Sequence, residues 1–223
     1  MFVNFVRLAT AAASSVLVFA AVSLARAEIT PPDVLVKNVT LEVVDIIQKD
    51  KEIRTGGSAG KKKVIALIET KVLPHFNFDA MTSSAVGRSW NKASAEQKAH
   101  LTEEFKTLLV RTYSSALSAY SNQKFDFRPL RAKPTDTDVT VNVRILQSGT
   151  EPVTIDYDME KRPTGWKVWD VRIGGISLVS NYRTEFDNLV REKGIDGLIK
   201  ALQAKNGSLE PTAVSASDGA AKK

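Results

Sequence analysis

The spacing of apolar residues changes twice along the chain. From Pro32 to about Tyr120 they recur every three or four positions, from Lys124 to Ile173 they alternate, and from Leu178 to Leu202 the longer spacing returns. The first spacing gathers apolar side chains on one stripe of a helix, and the second puts them on one face of a strand. Pro31 and Pro32 open a first helix carrying Val36, Val39, Val43, Val44 and Ile47, with Pro32 near the first helical position. Gly56 to Lys63 (GGSAGKKK) reads as a flexible link, and Val64 to Leu73 as a short helix stopped by Pro74. An aromatic segment and another short helix, capped near Asp79, lie between His75 and Trp90. Ser94 and Gln97 have capping-box spacing and start the longest helix, whose stripe is Leu101, Phe105, Leu108, Leu109, Thr112, Ala116 and Tyr120.

Four strands are expected, at Lys124–Leu130, Asp138–Gln147, Glu151–Glu160 and Trp166–Ile173. Val139, Val141, Val143 and Ile145 share one face of the second, and Val153, Ile155, Tyr157 and Met159 one face of the third. In the fourth, strict alternation puts Trp169, Val171 and Ile173 together, and Trp166 and Val168 on the other face with Asp170 and Arg172. Gly174-Gly175 turns the chain into two closing helices, one striped by Leu178, Tyr182, Phe186, Leu189 and Val190 and ended by Gly194, the other by Ile195, Leu198, Ile199 and Leu202. The fold class is α+β: a twisted antiparallel sheet of about four to five strands packed against several helices, with room for an apolar pocket between them.

Residues 1–27 change the picture at one end. Arg7 precedes the apolar run Leu8–Leu24, and Ala25-Arg26-Ala27 has the form of a cleavage site, so a secretory signal peptide is expected. A single domain would then span residues 28–204, and the Ala-, Ser- and Lys-rich residues 205–223 would be a disordered tail. The formal net charge of +6 falls to +4 without Arg7 and Arg26. The chain has no cysteine, so an exported product is held by its core alone and has no thiol to carry a lipid anchor. Together these features point to the periplasm, where nucleic acid is not an expected partner.

Candidate chemistry is sparse. The only histidines, His75 and His100, have no ligand-spaced companions, and no G-x-S-x-G elbow is present. Neither a metal nor a cofactor is expected. GGSAGKKK fails the spacing of a phosphate loop. Asp170, the lone acid of an apolar strand, reads first as a structural carboxylate capping a backbone amide or pairing with an arginine, and second as a general base. Tyr113, Tyr120, Tyr157 and Tyr182 suit the rim of an apolar pocket.

Four segments carry a family resemblance. WDVRIGGISLVSNYRTEF (Trp169–Phe186), KVLPHFNFDAMTSSAVGRSW (Lys71–Trp90), ASAEQKAHLTEEFKTLLVRTYSSAL (Ala93–Leu117) and KGIDGLIKAL (Lys193–Leu202) resemble, in order, signatures of the toluene-tolerance auxiliary family of MlaC-type periplasmic phospholipid carriers. The resemblance implies a non-enzymatic shuttle that holds a glycerophospholipid with its tails between sheet and helices. It implies exchange with an outer-membrane lipoprotein complex and with an inner-membrane ABC transporter that includes an MCE-domain subunit, so that outer-membrane lipid asymmetry is maintained. Chosen by face, the expected lipid-binding residues are Phe105, Leu109, Val141, Val143, Ile145, Ile155, Tyr157, Trp169, Val171, Leu178 and Tyr182. A carrier of another apolar lipid such as a hopanoid, a ligand-free interaction module, and an enzyme using Asp170 are the alternatives.

Overall fold

The computed structural model describes residues 29–118, 123–133, 135–147 and 149–208. The expected signal peptide, Tyr120 and residues 209–223 lie outside them. Helix α1 (Pro32–Lys49) has proline at its first turn and buries Val36, Val43 and Ile47. Asp50 ends it and caps α2 (Lys51–Thr55), its Oδ1 accepting from the Glu52 and Ile53 amides at 2.9 and 3.1 Å.

The glycine- and lysine-rich segment is not a flexible link. Residues Gly57–Leu67 form helix α3. Gly56, at φ 73°, reverses the chain after α2, and Gly60 is buried where a Cβ would stand 2.4 Å from the Glu52 carbonyl oxygen. The glycines therefore serve a tight helix crossing. Lys63 reaches back across it to Asp50 (2.8 Å) and Glu52 (3.0 Å).

Beyond α3 the helix widens into a π turn (Ile68–Val72) and tightens into a 3-10 turn (Leu73–His75) around Pro74. Phe76 then runs extended beside the sheet, and the Asn77 amide donates to the Val168 carbonyl at 2.8 Å. Asn77, two residues before the expected cap, receives the Ala80 amide and starts α4 (Phe78–Val86). A 3-10 segment (Gly87–Lys92) leads to Ser94 and Gln97, which bond reciprocally at 3.0 and 3.1 Å and start α5 (Ala95–Ser118).

The sheet has five antiparallel strands in chain order: β1 (Lys124–Phe127), β2 (Asp138–Leu146), β3 (Val153–Arg162), β4 (Gly165–Ile173) and the short β5 (Ile176–Ser177). The closing segment α6 (Leu178–Ser208) is two helices that meet at Gly194, where φ is 70° and the backbone is not helical, the break the sequence predicts. It continues through residues 205–208, part of the expected tail. The buried Asn206 side-chain amide donates to the Glu104 carbonyl and carboxylate at 2.9 and 2.7 Å, and the Asn206 backbone carbonyl accepts from Arg111 at 2.5 Å.

Strict alternation fails in β4. Asp158 pairs with Asp170 but Met159 pairs with Val168, so Trp169 is the extra residue of a β-bulge. The bulge restores Trp166 and Val168 to the same inner face as Val171 and Ile173. Trp169, expected among them, is half-buried and outside that apolar cluster.

The core has three parts. Helices α4, α5 and α6 enclose Phe105, Tyr182 and Phe186 with Leu101, Leu108 and Leu198. The inner face of the sheet meets α1 through Val36, Val141, Val143, Met159, Trp166, Val168 and Val171. The other side of α1 packs on α2, α3 and the π turn through Val43, Ile47, Ile53, Val64, Leu67 and Ile68.

Candidate functional site

Helix α1 lies across the inner face of the sheet without filling the space beneath it. A cavity of about 140 Å³ remains there. Leu35, Val36, Val39, Thr40, Val43 and Val44 form its roof, and Phe125, Ile145, Ile155, Tyr157, Met159 and Val168 its floor. Val72, His75 and Phe76 close one side, and Leu117 at the end of α5 closes another. The short β-branched side chains of α1 explain the void: valine reaches less far from a helix axis than leucine or phenylalanine, so a valine stripe over a pleated face leaves a gap. The lining is apolar apart from Thr40, His75 and Tyr157.

The polar groups gather where α1 passes the π and 3-10 turns. Lys71 pairs with Glu42 of α1 at 2.6 Å, and Lys167 of β4 donates to the Pro74 carbonyl at 2.5 Å. Burial, with the positive charge of Lys167, lowers the His75 pKa below its usual value, and Glu42 opposes this. His75 is therefore predominantly neutral at pH 7. A larger groove of about 860 Å³ lies on the far side of the same turns, but Glu69, Glu103, Lys106 and Arg111 border it and it is unsuited to hydrocarbon.

Of the residues selected by face, Ile145, Ile155 and Tyr157 line the cavity. Val141, Val143 and Val171 belong to the packed inner face of the sheet. Phe105, Leu109 and Tyr182 are in the solid helical core, where Phe105 meets Tyr182 edge-on at 5.2 Å and Phe186 at 5.3 Å. Burial pushes the phenol pKa of Tyr182, and that of neighbouring Tyr113, upward. Leu178 packs between the helical core and the sheet, and Trp169 sits on the bulge. The roof residues of α1, with Val72, His75, Phe76, Leu117, Phe125, Met159 and Val168, are not among those selected by face. The valine repeat of α1 was visible in the sequence, but which element it covered was not.

Asp170 is 5% exposed and bound into the corner between β4 and α6. Its Oδ1 accepts from the Val171 and Val179 amides at 2.8 and 3.2 Å, and Oδ2 from the Ser177 hydroxyl at 2.5 Å. Its carboxylate lies on the sheet face opposite Val171, away from the cavity, in a capping role.

An antiparallel sheet roofed by a valine-striped helix over an apolar cavity defines an α+β protein with an enclosed apolar site. The chain belongs to the MlaC protein family, whose pattern matches residues 37–204. It is similar to the intermembrane phospholipid transport system binding protein MlaC of Haemophilus influenzae, 26% identical over 140 residues that make up 61% of this chain and 65% of that one. It is also similar to the toluene tolerance protein ttg2D of Pseudomonas putida, 27% identical over 82% of this chain and 88% of that one. Its fold resembles a phospholipid-binding protein from Ralstonia solanacearum solved in complex with a phospholipid: TM-score 0.72, 37% identity, covering 78% of this chain and 96% of that one.

Proposed function

We propose that the protein is a periplasmic phospholipid carrier, loading a glycerophospholipid with its acyl chains between α1 and the sheet. The observation that carries this reading is the apolar cavity beneath α1. The phospholipid held by the Ralstonia protein of similar fold supports the ligand class. Lipoprotein and ABC-transporter complexes of the outer and inner membranes are the proposed exchange partners, in keeping with the transport system named for the Haemophilus relative. No helix of the described residues is long and apolar enough to cross a membrane.

The energetics explain why such a carrier needs no chemical step. Each methylene exposed to water costs about 0.8 kcal/mol. Two acyl chains with about thirty methylenes together would cost on the order of 20 kcal/mol. A carrier supplies apolar walls in place of water and leaves the headgroup at the rim. The cavity of about 140 Å³ is the size of one that takes a benzene ring, so a diacyl lipid enters only as α1 and the sheet separate. The wall facing α1 lies on one five-stranded sheet, while the other side of α1 packs on a separate cluster, so the two walls are free to part at a single seam.

Native mass spectrometry of protein purified from the periplasm without detergent, followed by lipid extraction, tests the proposal. The expected result is a bound mass equal to a diacyl phospholipid. Folded protein that carries no lipid and takes none from phospholipid vesicles would overturn it.

A further inference from the structure

We propose that the α2–α3 hairpin, Asp50 to Lys63, is an electrostatic foot on which the protein rests against a bilayer surface rich in anionic phospholipid. The proposal goes beyond the carrier reading and does not depend on the cavity being filled. Asp50 to Lys63 holds five basic residues and two acidic ones, a net +3, against +4 for the whole chain without Arg7 and Arg26. One hairpin therefore carries most of the net charge, and the rest of the chain is close to neutral. Both acids of the hairpin are engaged internally, because Lys63 lies between Asp50 (2.8 Å) and Glu52 (3.0 Å). Lys51, Arg54, Lys61 and Lys62 are exposed, and among the described residues none of them has a carboxylate within ion-pair distance.

The helix crossing concentrates these charges. With Gly60 against the Glu52 carbonyl and Lys63 on Asp50, the start of α3 runs beside α2, so Lys61 and Lys62 join Lys51 and Arg54 at one end of the molecule. The side chains at that end decide the kind of partner. Residues 54–59 are all exposed, the space around Gly56 and Gly57 is open, and Ile53 is buried. Thr55, Ser58 and Ala59 are the only other side chains there, so no large apolar group is presented. Specific protein interfaces centre on aromatic and aliphatic anchors and are depleted in lysine. Small residues flanked by lysines have no such anchor, but they suit a flat layer of phosphate charge, which demands no shape complementarity. Without an apolar wedge the hairpin lies on the headgroups and does not enter the acyl region.

The foot is joined to the roof of the cavity. Val43 and Ile47 of α1 pack with Ile53 of α2 and with Val64 and Leu67 of α3 in one apolar cluster. Val44, the last roof residue, stands five residues before the end of α1, about 8 Å along the helix axis. A bilayer that holds the hairpin therefore holds the roof of the cavity through a single packed body.

The test is co-sedimentation of the intact protein, purified from the periplasm, with vesicles of phosphatidylcholine alone or mixed equally with phosphatidylglycerol, at about 0.15 M salt. Binding is expected to the mixed vesicles only, and release at about 1 M salt, where charges are screened within about 3 Å. Each lysine removed from the foot should weaken binding about fivefold, so the double variant Lys61→Gln with Lys62→Gln should lose about 25-fold. Lys193→Gln with Lys200→Gln is the control, since it takes the same charge from exposed, unpaired positions on α6 and should change binding less than about twofold. Equal losses in the two double variants would make this an effect of net charge and overturn the foot, as would unchanged binding in the first or equal binding to both kinds of vesicle. Tighter binding to poly-glutamate than to the mixed vesicles, lost in the first variant, would assign the hairpin to an acidic protein segment and overturn its assignment to a bilayer. Native mass spectrometry of the same samples separates the two readings: protein that binds the mixed vesicles through the foot yet carries no lipid would overturn the carrier reading and leave this one standing.

Discussion

Asp170→Ala removes the acceptor that joins β4 to α6. Two backbone N–H groups, of Val171 and Val179, lose their partner at a position where Asp170 itself is 5% exposed. Each buried donor left unsatisfied costs about 1–2 kcal/mol. Loss of the anchor for Ser177, whose Oγ in turn receives the Ser180 amide at 2.9 Å at the start of α6, adds about 1 kcal/mol. The sum is about 3–5 kcal/mol, a large part of the stability of a domain this size. With a urea slope of about 2 kcal/mol/M, the midpoint should fall by about 2 M, followed by far-UV circular dichroism at pH 7. Asp170→Asn keeps one oxygen for the two amides and turns its NH₂ towards the Ser177 oxygen, so it should lose about 1–2 kcal/mol. A midpoint shift below about 0.5 M in the alanine variant would refute the capping role, as would equal losses in both variants.

Two further outcomes test the cavity and the helix crossing. Ile155→Glu puts a carboxylate on the half-buried cavity floor and should give folded protein that purifies without lipid, while Val143→Glu, at 2% exposure in the packed sheet face, should fail to fold; co-purification of normal lipid with Ile155→Glu, read by mass spectrometry, would exclude this cavity as the site. Gly60→Ala forces its methyl group to 2.4 Å from the Glu52 carbonyl and should lower stability by about 1–3 kcal/mol in the same urea assay, whereas a flexible link would tolerate it.

The order of elements was legible in the chain because each has a period of its own. The apolar alternation of β2 and β3, the stripe from Leu101 to Leu109 and the reciprocal Ser94–Gln97 cap are local features, and the structure has all of them. Gly56 to Lys63 was misread because a glycine-rich run has the same composition in a flexible link as in a close helix crossing, and only the Glu52 carbonyl opposite Gly60 separates the two. The β4 bulge was equally hidden. One extra residue at Trp169 reverses the face of every residue before it, and its position depends on pairing with β3.

The sequence by itself determined which residues are apolar, how they repeat, and hence that helices must cover one face of an antiparallel sheet. It also carried the family signature. Only the tertiary structure decided where the protein is packed solid and where it is hollow. Phe105, Leu109 and Tyr182 look as suited to a pocket as Ile155 and Tyr157, yet three helices close on the first group, while a valine-lined α1 stands off the second. A void belongs to no single element: it is the difference between the reach of facing side chains and the distance between their backbones, and that distance is set by contacts far apart in the chain.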